Sequence, residues 1–187
     1  MFKGIKNKVG NYILRQELQN LPRQRAFMNL EECKTIGILF VYDTPENFDL
    51  LKKYVSYLKD FKKKIKAFGF FNMDAEPPGL SYSKVEFEFF NRKDLNWYGR
   101  PTIVYTQNFI EEQRDVLIDL NLNDAVPLKF MAAKSNARFK IAKLTEENKK
   151  YCDMLIAYDK TKNFKYFLAQ VDTYLGMVNK KENPVTT

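Results

Sequence analysis

The chain has 187 residues, 45% of them hydrophobic and 15% aromatic, and a formal net charge of +8. That is length for one domain with a packed core, and too much apolar content for a disordered tail. It contains no histidine, which excludes Ser-His-Asp and Cys-His nucleophile systems and histidine metal sites and leaves Asp, Glu, Lys, Tyr and backbone groups for any chemistry.

Residues 1–22 read as an N-terminal amphipathic helix. Phe2, Ile5, Val9, Ile13 and Leu18 form its stripe, with Lys3, Lys6, Lys8 and Arg15 around it. Such a helix suits an anionic membrane surface, a groove on a partner protein, or the face of its own sheet. Gly4 and Gly10 weaken it as a free-standing helix and so favour docking. No apolar run of leader length follows the basic start. Cys33 and Cys152 lie far apart with no C-x-x-C pair, so both are expected as small buried hydrophobes in a reduced, cytoplasmic setting.

Residues 30–180 read as a single α/β domain. TIGILFVY (Thr35–Tyr42) is a continuous apolar run of strand length, expected to be buried on both faces. Thr44 is a candidate N-cap with Pro45 at the first helical position, and Phe48, Leu51, Val55, Leu58 and Phe61 then recur at helical spacing. IKAFGFF (Ile65–Phe71) closes a strand-helix-strand unit, the signature of a parallel crossover. After the Pro-Pro-Gly loop at 72–81, KVEFEFFN alternates as a half-exposed strand, and TIVYT (Thr102–Thr106) reads as another short strand. VLIDL, a helix begun near Pro127, RFKIA, MLIAY and a final helix bearing Phe164, Phe167, Leu168, Val171, Leu175 and Val178 complete the pattern. Residues 181–187 are expected to be a frayed tail. The fold expected is therefore a mixed, largely parallel Rossmann-like sheet with helices packed on it. Gly37 and Gly69 lie inside strands, where they allow close packing. No G-x-G-x-x-G or Walker pattern occurs, so no cofactor is indicated, and no metal site is either.

Taken in order, TIGILF, DLNWYGRP, RDVLIDLN, the Pro-Leu-Lys at 127–129, the Ser-x-Ala-x-Phe-Lys at 135–140, the Tyr-x-Asp at 151–153 and the final Tyr-Leu resemble a family of uncharacterised small Bacteroidota proteins, a domain of unknown function. The resemblance carries no activity with it, and Ala142 stands where that pattern leads one to expect Gly. A fainter likeness, in DVLIDL, the proline-bearing helix and S-x-A-x-F-K, is to the first half of GT-B glycosyltransferases of the heptosyltransferase type. Those enzymes hold their donor sugar between two such domains, and this chain has length for one.

Two sets of residues are candidates for function. Asp43 and Thr44 follow the first strand, and Asp119 ends VLID. With Ser135 they would make a histidine-free, metal-free enzyme site at the carboxyl ends of the strands; the alternative is that Asp43, together with Asn121 to Asp124, serves turns and caps. Lys129, Lys134, Arg138, Lys140 and Lys143 are five cations with no acid between Ala125 and Thr145, a candidate anion-binding string. Arg138 and Lys140 share one side of their strand and would face solvent if Phe139 and Ile141 are buried. Trp97, beside Arg92, Lys93 and Arg100, either stacks on a partner or plugs the space under its loop. Together these readings lean away from an enzyme and toward a non-catalytic intracellular interaction protein with a protein or anionic, RNA-like partner. The N-terminal stripe and Trp97 are its candidate contact residues, and a membrane surface is the lesser alternative.

Overall fold

A computed structural model describes residues 2–18, 23–159 and 161–178, with side chains from residue 4 onward. The expectations for the Phe2 side chain and for the tail at 181–187 lie outside the described residues. The elements run α1 (Phe2–Glu17), β1 (Thr35–Tyr42), α2 (Pro45–Asp60), β2 (Lys64–Phe71), β3 (Phe87–Asn91), α3 (Val104–Glu111), β4 (Val116–Asp119), α4 (Val126–Lys134), β5 (Phe139–Lys143), β6 (Met154–Ile156) and α5 (Phe164–Met177).

The six strands form one sheet in the order β3-β2-β1-β4-β5-β6. Every neighbouring pair is parallel, so the sheet is wholly parallel rather than mixed. This is the strand order of doubly wound, Rossmann-like sheets, in which the order reverses between the first and fourth strands. Residues of β1 explain why the sheet is covered twice. Ile36, Ile38, Phe40 and Tyr42 join the core formed with α2 and α5, while Leu39 joins the opposite core, which takes in Leu14 of α1, Phe109 of α3 and Leu128 and Met131 of α4. Burial on both faces is what the unbroken apolar run requires.

At Gly69 an added Cβ would overlap the rings of Phe89 and Phe40. Those rings belong to an aromatic cluster in which Phe40 meets Phe48, Phe87 and Phe89 at centroid distances of 5.5–6.2 Å. The absent side chain is the space they occupy.

Four local expectations need correction. TIVYT is not a strand: Ile103 is the cap position before α3, and Thr106 and Phe109 are the buried face of that helix. Five residues looked like alternation, but Ile103, Thr106, Phe109 and Ile110 repeat at helical spacing over a wider window. Phe61 lies past the end of α2 and is 49% exposed, while the buried face of the helix includes Tyr54. Val85 precedes β3 and is exposed. In α1 Leu14 is buried, at 2% exposure, whereas Ile5 is 56% exposed. The helix packs on α4, and Gly10 permits it, because a Cβ there would overlap the carbonyl oxygen of Tyr98.

Candidate functional site

Asp115 and Asp119 bracket β4 and have different tasks. Asp115, at the amino end, accepts the backbone N–H groups of Lys34 (2.7 Å) and Thr35 (3.0 Å), while its own N–H donates to Thr35 Oγ1 at 2.9 Å. Burial works against its charge, but these bonds and Arg138 hold the carboxyl below the ordinary range. It is a clamp between β4 and the start of β1.

Asp119, at the carboxyl end, is 4% exposed and accepts the Asn121 N–H at 3.0 Å. Burial pushes its carboxyl up to about 7, against the pull of that N–H and of Lys143. Above it the chain turns at Asp124, whose φ of 55° is a conformation that Asp tolerates better than most residues. The Asp124 carboxylate meets Lys143 Nζ at 2.9 Å and Lys129 Nζ at 3.7 Å. Lys143 also donates to the Leu122 carbonyl at 2.6 Å.

The helices that leave β1 and β4 start at this same edge. Thr44 Oγ1 accepts the Asn47 N–H at 3.2 Å and so caps α2, while Asp43 accepts the Thr44 N–H (2.7 Å) and the Asn47 amide (2.9 Å). At α4 the cap position is Ala125, which has no side chain to offer. Instead Asn121 reaches from behind, accepting the Ala125 N–H at 2.8 Å and donating to its carbonyl at 3.0 Å. Pro127 has no N–H, and those of Val126 and Leu128 have no acceptor among the described residues.

Val126, but not the buried Leu128, borders a cleft of about 510 Å³ beside the ends of β1 and β2, whose walls also include Lys6, Arg92, Trp97, Tyr98 and the Asp124 of the turn after β4. Trp97 stands 63% exposed at its rim, edge-on to Tyr98 at 5.3 Å. Tyr98, not Trp97, is the ring that packs inward, 6.1 Å from Phe130; the plug expected of Trp97 belongs to its neighbour. Lys6 has no acidic partner among the described residues, and Arg92 holds only the exposed Asp74, at 2.9 Å, a surface pair of little energetic weight. A smaller cavity of about 110 Å³ lies on the α2 side of the same edge, with Asp43 in its wall.

The four enzyme candidates do not converge. Asp43 and Thr44 are spent on the α2 cap, and Asp119 lies beneath the 121–125 turn, lining neither cavity. Ser135 sits at the far end of α4, at the amino edge, where its Oγ accepts the Ala137 N–H at 3.2 Å. A helix that returns antiparallel to its strand must end at the opposite edge.

The basic string is divided by the same geometry. Lys129 and Lys143 surround Asp124 at the carboxyl edge. Lys134 pairs with Glu17 at 2.5 Å, and Arg138 stands 3.9 Å from Asp115. Lys140 does not face solvent: it is 1% exposed, and its Nζ donates to the carbonyls of Ala132 (2.7 Å) and Ala133 (2.9 Å) at the end of α4. In a strand covered on both faces, the polar side of the alternation is buried as well. The sequence singled out Trp97, Arg92 and Lys6, and it read Asn121 only as one of several turn and cap residues; the structure adds that it caps α4 from four residues before Ala125.

Fold and cleft define a doubly wound α/β protein with a ligand-sized opening at the edge where such sheets bind ligands. The chain belongs to the Family of unknown function (DUF6913), whose family model matches residues 6–178. No curated protein and no solved structure matches it. Among the described residues, no helix is long and apolar enough to cross a membrane, and no group of three or more Cys, Asp or Glu side chains is placed to hold a metal ion.

Proposed function

We propose that this is a non-catalytic, cytoplasmic binding protein that receives an anionic, RNA-like partner in the cleft at the carboxyl edge of its sheet. The observation that carries the reading is Trp97, a large apolar side chain 63% exposed at the rim of a cleft that also presents Lys6, Arg92 and the open start of α4. An exposed indole offers a base a stacking surface regardless of sequence. Cations and the unsatisfied Val126 N–H beside it suit the phosphates that accompany the base. The likeness to the first half of GT-B enzymes, which bind a phosphate-bearing donor, agrees with this edge but supplies half of their machinery, so binding rather than transfer is proposed. Attachment to a membrane through α1 has weaker support, because that helix spends Leu14 and Gly10 on its own domain.

Trp97 is the sole tryptophan, so its fluorescence reports the site directly. Titration with a short single-stranded RNA in low salt should quench it, with affinity that weakens steeply as salt rises. With labelled RNA and anisotropy as the readout, Trp97→Ala should cost about 1–3 kcal/mol of binding. Lys6→Glu should weaken binding as well, whereas reversal of the exposed Lys53 and Lys62 should matter little. Equal losses from all of these charge reversals, with no quenching, would reduce the interaction to a diffuse positive surface and sink the proposal.

A further inference from the structure

The opposite edge of the sheet holds a second feature, independent of the cleft. Arg23, Arg25, Lys134, Lys140 and Lys150 line a single cavity of about 200 Å³ beside the end of α4, with Ser135 in the same wall. We infer that this cavity is a binding site for a small tetrahedral oxyanion of the phosphate class.

Two cations of the wall, Arg23 and Lys140, are fixed inside the fold, while Arg25 and Lys150 stand exposed at its mouth. Arg23, its side chain 9% exposed, grips Asp153 with both nitrogens, at 2.6 and 2.8 Å, and donates to the Ala137 carbonyl at 2.9 Å. Lys140 is fixed by the two carbonyls that end α4. The acids that pair with these cations are Asp153 and Glu17, and each is already shared. Asp153 also takes the Lys140 backbone N–H at 2.8 Å and has Arg25 at 3.7 Å. Glu17 takes Lys134 at 2.5 Å and Arg100 at 3.0 Å. Lys150 has no acidic partner among the described residues.

The cavity therefore keeps an excess of positive charge in a partly desolvated place, where like charges repel strongly. Its effect falls on Lys140, whose ammonium is pushed down to about 7 by burial and then by Arg23. An oxyanion seated between Arg25, Lys150 and Ser135 offsets that excess. The Ser135 oxygen already accepts a bond from Ala137, so its hydroxyl proton is available to the anion. Donors arriving from several directions suit a tetrahedral anion better than the single planar fork that a carboxylate prefers. With the anion bound, Lys140 regains its proton, so binding near pH 8 takes up protons from solution.

Calorimetry of the full chain in chloride buffer at pH 8, with pyrophosphate, inorganic phosphate and sulfate as separate probes, tests this. One saturable site is expected for each. Sulfate carries no proton of its own in this range, so its proton uptake, read from buffers of different ionisation enthalpy, comes from the protein. Arg25→Glu with Lys150→Glu should weaken binding at least tenfold without moving the thermal midpoint, and Lys53→Glu with Lys62→Glu should leave it intact. Trp97→Ala should have no effect, which separates this site from the RNA cleft. The inference is overturned by absent binding, by equal sensitivity to both pairs of reversals, or by sulfate binding with no proton uptake. If single-stranded RNA alone binds and the Arg25/Lys150 pair abolishes it, the cavity is part of a nucleic-acid path and not a small-anion site.

Discussion

The helices that follow β1 and β4 start at the same edge of the sheet, on opposite faces, and their N-termini are finished in opposite ways. At α2 the cap is local. Thr44 satisfies a backbone donor of the first turn, and Asp43 adds a carboxylate in front of it. A start closed in this way repels a phosphate and has little left to donate. At α4 the closure comes from behind, through Asn121; the Val126 N–H at the cleft wall has no acceptor among the described residues, and the carboxylate that precedes it, Asp124, is already held by Lys143 and Lys129. The doubly wound topology makes both positions eligible for a ligand. Side-chain chemistry over five residues selects between them.

The largest effect that sharpens this contrast belongs to Asp119, beneath the α4 start. Its carboxyl is raised from 3.8 to about 7, so between about pH 4 and pH 7 the folded protein keeps a proton that the unfolded chain has lost. The Asp119 contribution to stability is therefore full at the acid end, declines through that window and levels off above it. Asp119→Asn keeps the neutral shape at every pH. It should match the parent near pH 4 and exceed it at pH 8 by a few kcal/mol, an order-of-magnitude figure. Urea unfolding of both proteins across that range measures the difference, and a gap that does not widen with pH removes this account of the residue.

Next is Asn121→Ala, which deletes both bonds to Ala125. A loss of about 2 kcal/mol is expected, accompanied by weaker RNA binding because the turn that frames the cleft loses its anchor. If stability falls and affinity does not, the α4 start contributes nothing to the site. The smallest change is Thr44→Ala, with a loss of about 1 kcal/mol from the cap and unchanged RNA affinity. Reduced affinity in that variant would mean that the ligand uses the α2 side of the edge, and the comparison would reverse.

Much of the architecture was legible from pattern. The β1 run, the Thr44-Pro45 start of α2 and the proline-bearing start of α4 stand where their spacing put them, because these signals are local. Errors arose where the partner of a residue is distant in sequence. Alternation in RFKIA identified a strand correctly, yet assigned Lys140 to solvent. That assignment assumes a half-exposed sheet, and whether a second helical layer covers the strand depends on α4 and α1 packing there. Trp97 and Tyr98 are adjacent in DLNWYGRP, and which ring turns inward was settled by the space beside Phe130.

The sequence by itself determined the α/β class, the order of its main elements, the absence of histidine chemistry and the excess of positive charge. These follow from composition and from periodicities of two and 3.6 that each segment carries alone. Only the tertiary structure decided where the charge acts. It sent Lys129 and Lys143 to Asp124 at one edge of the sheet and gathered Lys134 and Lys140 with Arg23, Arg25 and Lys150 at the other. A helix returning antiparallel to its strand carries residues only a few positions apart to opposite ends of the sheet, and packing of the N-terminal segment brings residues more than a hundred positions apart, such as Arg23 and Asp153, to the same one.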